Sequence, residues 1–177
     1  MIKISSPISI FELGSTHVDL SIYDKSILNQ NLFYEEKLDY TRNKKSTNAF
    51  KIDKLILKAE KDIGKHLNEA LLLVDSSTIF SLDFSIKKNF EKKIINKNDL
   101  DYLLIESEKI IKSNYQDKVI LHKIETDICI DGKKIESINN LNTEVNNVVL
   151  EVKFIMIEKK IFEKLKNIFL KNHISLI

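Results

Sequence analysis

Apolar residues recur along this chain with two rhythms, and the changes of rhythm mark its elements. Ile8 to Leu13 is apolar enough to predict a buried strand, and Val18, Leu20 and Ile22 alternate with Asp19 and Ser21 as in a half-buried one. Gly14, Ser15 and Thr16 join the two. A third short strand fits Leu32 to Leu38, and the polar, aperiodic stretch 39–48 reads as a surface loop. From Ile52 the spacing becomes helical, with Leu55, Ile56, Ala59, Ile63 and Leu67 on one face. Gly64 inside that pattern costs up to ~1 kcal/mol relative to Ala, which predicts close packing there. "ALLLVD" (70–75) then reads as a strand buried on both faces, as in parallel or mixed sheets.

Period two returns at Phe80, Leu82, Phe84 and Ile86, set against Ser81, Asp83 and Ser85. A helix over Asp99 to Lys112 would cover that apolar face, with Asn98 as its N-cap and Asp99 and Asp101 in the positive first turn. Alternation is unbroken from Ile120 to Ile130, which puts Ile120, His122, Ile124, Thr126, Ile128 and Ile130 on one face. Asp131-Gly132 signals a tight turn. Val148, Leu150, Val152, Phe154 and Met156 line another long strand. Glu158 to Asn172 is helical, burying Ile161, Phe162, Leu165, Ile168 and Phe169. "ISLI" (174–177) begins a further strand. An apolar strand left as an edge invites aggregation, so the chain is expected to be a truncated or incomplete piece.

Composition narrows the function. At 177 residues, with 43% hydrophobic and 31% charged residues, the chain can bury a real core. A net charge of +2 and a single arginine, Arg42, argue against nucleic acid, which is recognised largely by guanidinium groups. Cys129 is alone, so no disulfide framework exists and a reducing compartment is expected. His17, His66, His122 and His173 never fall at metal-ligand spacing. The N-terminus is too polar for a signal peptide, and no apolar run approaches the roughly 20 residues needed to cross a bilayer. These features predict a cytoplasmic protein.

The small-residue turn admits two readings. Gly14 with Ser15 and Thr16 could let a phosphate reach bare backbone, since glycine permits close approach and hydroxyls add donors. The same residues suit an ordinary hairpin. Glu12 reads as a charged residue at a strand end that faces solvent. His122 reads as a core histidine, Cys129 as inert, and the lysine-rich stretch 86–97 as a solvated loop. No Ser-His-Asp order, paired-carboxylate pocket or metal cluster stands out, so no catalytic residue is nominated.

Four stretches together resemble the FtsA family of bacterial cell-division proteins, within the actin, sugar-kinase and heat-shock-chaperone superfamily. "ISIFELGSTHVDLSIYD" is similar to the family's first phosphate loop, and "IDKLILKAEKDIGKHLNEALLLV" to the helix and strand that follow in subdomain IA. "VILHKIETDICIDG" resembles a strand of the inserted strand-helix-strand-strand subdomain. "VVLEVKFIMIEKKIFEKLKNIFLKNHISLI" resembles its last strand and the returning helix. The chain departs from the family at His17, where lysine is usual, at Asp75 to Ser77, where glycine is common, and in "SINNLNTEVNN", which lacks Pro and Gly.

The resemblance implies an α/β (α+β) chain: an incomplete actin-like, ribonuclease H-like subdomain over 1–75, an interaction insert over 76–157, and a return to the first subdomain over 158–177. It assigns Glu12, Gly14, Ser15, Thr16 and His17 to half of a nucleotide site. Mg-ATP is the cofactor of the full-length family, and this half alone is expected to hold none. It also implies a non-catalytic scaffold that contacts copies of itself and other division proteins, including the tubulin-like ring protein, at the inner face of the membrane. This portion is expected to touch neither membrane nor nucleic acid. Phe80, Leu82, Phe84 and Ile86 are the candidate interaction strand. Two alternatives stay open: an ATP-using enzyme of the superfamily, and the type IV pilus assembly relative, which shares the insert.

Overall fold

Two separate sheets carry the chain. The computed structural model describes residues 7–24, 32–39, 48–75, 77, 79–135 and 144–177. In chain order the first elements are β1 (Pro7–Leu13), β2 (His17–Asp24), β3 (Leu32–Asp39), α1 (Asn48–Ile63) and β4 (Glu69–Val74). Then come β5 (Phe80–Ile94), α2 (Lys97–Asn114), β6 (Lys118–Ile130), β7 (Lys133–Ile135), β8 (Glu144–Glu158), α3 (Lys159–Lys171) and β9 (Ser175–Leu176). Contacts divide them into Met1–Ser77 with Ile161–Ile177 as one unit, and Thr78–Lys160 as another. Most of the loops expected over 39–48 and 137–147 lies outside the described residues.

In the first unit the sheet order is β3-β2-β1-β4-β9, antiparallel from β3 to β1 and parallel from β1 to β9. Phe11, Val18, Leu20 and Ile22 point to one face, where they meet Ile52, Leu55, Ile56 and Ala59 of α1 and Phe169 of α3. Phe11 and Phe169 meet edge to face at 4.9 Å. Each such side chain contributes ~1.5–3 kcal/mol on full burial. Gly64 does not lie inside α1. It ends the helix with φ of +68°, its N–H bonded to Glu60 O at 2.9 Å, which is the left-handed stop that glycine takes without strain. Leu67 is buried beyond that stop, and its N–H is held by the Glu60 carboxylate at 2.9 Å.

β4 pairs in parallel as its composition suggests, but it is not buried on both faces. Leu71 and Leu73 are 37% and 47% exposed, because among the described residues the helices cover only the face that Ala70 shares with Phe11. Glu36 of β3 accepts from Lys58 of α1 at 2.6 Å and from Tyr34 at 3.3 Å. Burial, with the Glu36 charge second, pushes the Tyr34 hydroxyl up to about 12, so it stays a donor.

In the second unit the order is β5-β8-β6-β7, all antiparallel. α2 covers one face, as the alternation of Phe80 to Ile86 requires, and Leu100, Leu103 and Ile111 pack on Val148, Leu150, Val152, Phe154 and Met156. The cap is Asn96, not Asn98: its side chain accepts from Asn98 N–H at 2.9 Å, and Asp99 reaches back to Asn96 N–H at 3.0 Å. β5 does not stop at Ile86. It runs through the lysine-rich stretch to Ile94, broken by a bulge where Glu91 and Lys92 take positive φ. Long stems let those lysines line a strand: Lys88 Nζ stands 4.1 Å over the Tyr102 ring.

β6 also departs from its pattern. Two bulges, at Ile120/His122 and Glu125/Asp127, invert its alternation between them. Lys123 now opposes core residue Phe154, and Ile124 opposes Lys153. His122 is therefore exposed rather than a core histidine, and Ile124 is 48% exposed. Asp131 and Gly132, both at positive φ, close the β6–β7 hairpin as expected.

Asn96→Ala should cost the second unit ~1 kcal/mol in urea unfolding. The Lys93 ammonium, at 2.7 Å, and the Asn96 N–H hold the Asp99 carboxyl below its usual range. A group depressed in the folded state stabilises above its unfolded value, about 3.9, and loses that contribution as pH falls through the folded value. Asp99→Asn should therefore lower stability at neutral pH and flatten its decline below about pH 4.

Candidate functional site

The structure brings the five turn residues together at the tip of the β1–β2 hairpin and closes them on one another. Leu13 pairs with Val18, and Gly14 N–H donates to His17 O at 3.0 Å, leaving Ser15 and Thr16 exposed at the tip. The Gly14 amide is thus spent within the hairpin. Its φ is not positive, so conformation is not why glycine stands there. The reason is contact. A Cβ on Gly14 would lie 2.7 Å from His17 Cε1 and 2.9 Å from Nε2. The imidazole covers the bare backbone that a phosphate would need.

Polar side chains surround that ring. His17 Nε2 is 3.7 Å from Asp19 Oδ2 and 4.0 Å from Glu12 Oε1, while Nδ1 is 3.3 Å from Thr16 Oγ1. Glu12 and Asp19 are opposite one another across the hairpin, and Lys37 Nζ approaches Asp19 Oδ2 at 3.6 Å. Asp19 Oδ1 is buried and without a hydrogen-bond partner among the described residues. Among the described residues no group of three or more His, Cys, Asp and Glu is placed to hold a metal. Asp19 and Lys37 were missed in the sequence because their roles arise from cross-strand register, not from spacing along the chain.

The candidate interaction strand divides in two. The side chains of Phe80, Leu82, Phe84 and Ile86 do not form a surface; they are half-buried and pack against the core under α2. The backbone is different. β5 is the outermost strand on its side of the sheet, so its outer N–H and C=O groups are unpaired with any described strand. On the other side, β7 pairs with β6 only at Ile128, Cys129 and Ile130. Alongside the start of β6 and the end of α2 lies a groove of about 500 Å³. No helix among the described residues is long and apolar enough to cross a membrane.

These features define the class of fold: a mixed α/β sheet with α1 and α3 on one face, carrying an inserted strand-helix-strand-strand lobe. No family model matches the chain, and no curated protein matches it. A chain of the PilM-PilN type IV pilus biogenesis complex is similar over 99% of this chain, at 10% identity and a TM-score of 0.57. A Bacteroides thetaiotaomicron protein with actin-like ATPase fold and unknown function is 14% identical over 99% of this chain, at a TM-score of 0.38. The chain spans 47% and 54% of the lengths of these two. Among the described residues the fold is mixed α/β, with two sheets and three helices, and it is similar to that of the chain from the PilM-PilN complex.

If His17 is why position 14 must be glycine, Gly14→Ala should cost ~1–3 kcal/mol in urea unfolding. The same substitution in a His17→Ala background should cost less than half as much. Equal costs in the two backgrounds would remove the contact as the reason.

Proposed function

We propose that this chain is part of a non-catalytic, actin-like assembly protein of bacterial cell division, working by contact with copies of itself and with other division proteins. The observation that carries the reading is the Thr78–Lys160 lobe: a separately cored antiparallel unit, inserted between β4 and α3, whose longest edge strand is open. A lobe of this kind adds nothing to the first sheet's hydrogen bonding but offers strand edges to partners. The closed hairpin supports the companion proposal that this part alone holds little nucleotide. Glu12, Gly14, Ser15, Thr16 and His17 form at most half a site, and its amide and open face are already occupied.

A second reading, a type IV pilus assembly relative, is favoured by one observation. The similar chain at a TM-score of 0.57 belongs to a pilus biogenesis complex. Both readings make the lobe a docking module; they differ in the partner. Cross-linking in the source cell separates them by whether division or pilus proteins are captured.

Self-assembly through β5 is tested by sedimentation of the full chain. Ser81 and Ser85 are exposed on β5, so lysines there keep the fold and discourage strand addition. The wild-type chain should associate with rising concentration, and Ser81→Lys/Ser85→Lys should stay monomeric. A wild-type chain that is monomeric throughout and captures no division or pilus protein would overturn the scaffold reading. Calorimetry with millimolar Mg-ATP should give no saturable heat; micromolar binding would overturn the closed-hairpin proposal.

A further inference from the structure

We propose that the groove between the end of α2 and the start of β6 receives an extended acidic peptide, which adds a strand to the second sheet. The proposal rests on reading Thr78–Lys160 as a docking lobe, and it specifies the face and the partner's chemistry.

The backbone supplies the first half of the case. β6 is bonded to β8 along its length, but on its other side β7 reaches only Ile128 to Ile130. From Lys118 to Lys123 no described strand occupies that side. Lys118 N–H is bonded to Tyr115 O at 3.1 Å, and beyond it residues 119–123 pair with no described strand on the side where a next strand would lie, about 4.8 Å away. The groove of about 500 Å³ lies beside them, walled by Glu108, Lys112 and Tyr115 of the helix side and by Leu121 and Lys123 of the strand. A strand edge facing a helix is the arrangement that binds peptides by β-augmentation, with backbone bonds for affinity and alternate side chains for choice.

Charge selects the occupant. Lys112, Lys118, Lys123 and Lys159 line the groove, against one acid, Glu108. Glu108 is already engaged by Lys112 and by Lys123, each at 2.6 Å, and those hydrogen bonds hold its carboxyl below the usual range. Lys118 meets Asp117 at 3.1 Å, but that carboxylate is 75% exposed and the pair is screened. A positive excess remains. Val119 and Leu121 are half-buried between the lysines, so aliphatic residues alternating with acids would fit both. The same lysines repel the β5 edge of a second copy, which carries Lys87, Lys88, Lys92 and Lys93.

The test uses the full chain, labelled with nitrogen-15, and the peptide acetyl-Gly-Asp-Val-Glu-Ile-Asp-Val-Gly-amide. Its counterpart has lysine at each acidic position. The acidic peptide should shift the amides of residues 118–123, slow their hydrogen exchange and bind more weakly as salt rises. Lys118→Glu/Lys159→Glu should weaken it about tenfold and favour the lysine peptide instead. Shifts confined to β5, or equal binding of both peptides by the wild-type chain, would overturn this groove while leaving the lobe a docking module. Protection of residues 118–123 that grows with protein concentration alone would replace the acidic peptide with a second copy. No perturbation of Thr78–Lys160 by either peptide, in a chain that also sediments as a monomer, would overturn both this groove and the reading it rests on.

Discussion

The parallel pairing of β1 with β4 is the constraint on which the rest of this molecule depends. A parallel pair needs a crossover, and here α1 supplies it, which brings Ile52, Leu55, Ile56 and Ala59 over the face of Phe11 and Val18. The pair is fastened at both ends: Ser9 Oγ donates to Glu69 O at 2.7 Å, and Asp75 N–H donates to Leu13 O at 2.9 Å. β4 also governs the second half of the first unit. After the insert the chain returns onto its far edge, where Ser175 N–H meets Asn68 O at 2.8 Å and Ile177 N–H meets Ala70 O at 3.0 Å. The turn from α3 into β9 is held to α1 as well, by Asn172 Nδ2 on Asp53 Oδ1 at 2.7 Å. An insertion between β4 and α3 is tolerated because β4 has a fixed partner on each side.

The two sheets solve the same problem in different ways. Among the described residues of each unit, helix covers one face of the sheet and not the other. In the first unit the open face carries Leu71 and Leu73, and in the second Ile124 joins Ser81, Asp83, Ser85 and Lys153. That face of the second sheet is mixed rather than polar, since Val149, Ile155 and Cys129 lie on it as well. The hairpin tip makes the complementary point. A glycine beside two hydroxyls has the composition of a phosphate loop, yet the imidazole of His17, which lies near Glu12 and Asp19, fills the space the glycine leaves.

Alternation and helical spacing by themselves determined most of the order of elements, the β1–β2 hairpin, the Asp131-Gly132 turn and the helix over Phe80 to Ile86. These follow from local rules: which side chains share a face, and which residues tolerate a turn. Only tertiary structure decided where those rules stop. The β6 bulges are invisible in an unbroken run of alternating residues, because an extra residue changes register against β8 without changing composition. β5 runs on through its lysines because their stems can lie along the sheet and over Tyr102. Leu71 and Leu73 read as core, and their exposure depends on which face the helices occupy. Gly14 admits a phosphate reading and a hairpin reading alike, and the ring that packs against it comes from three residues away. Spacing along a chain fixes faces; what lies against each face is settled by segments distant in sequence.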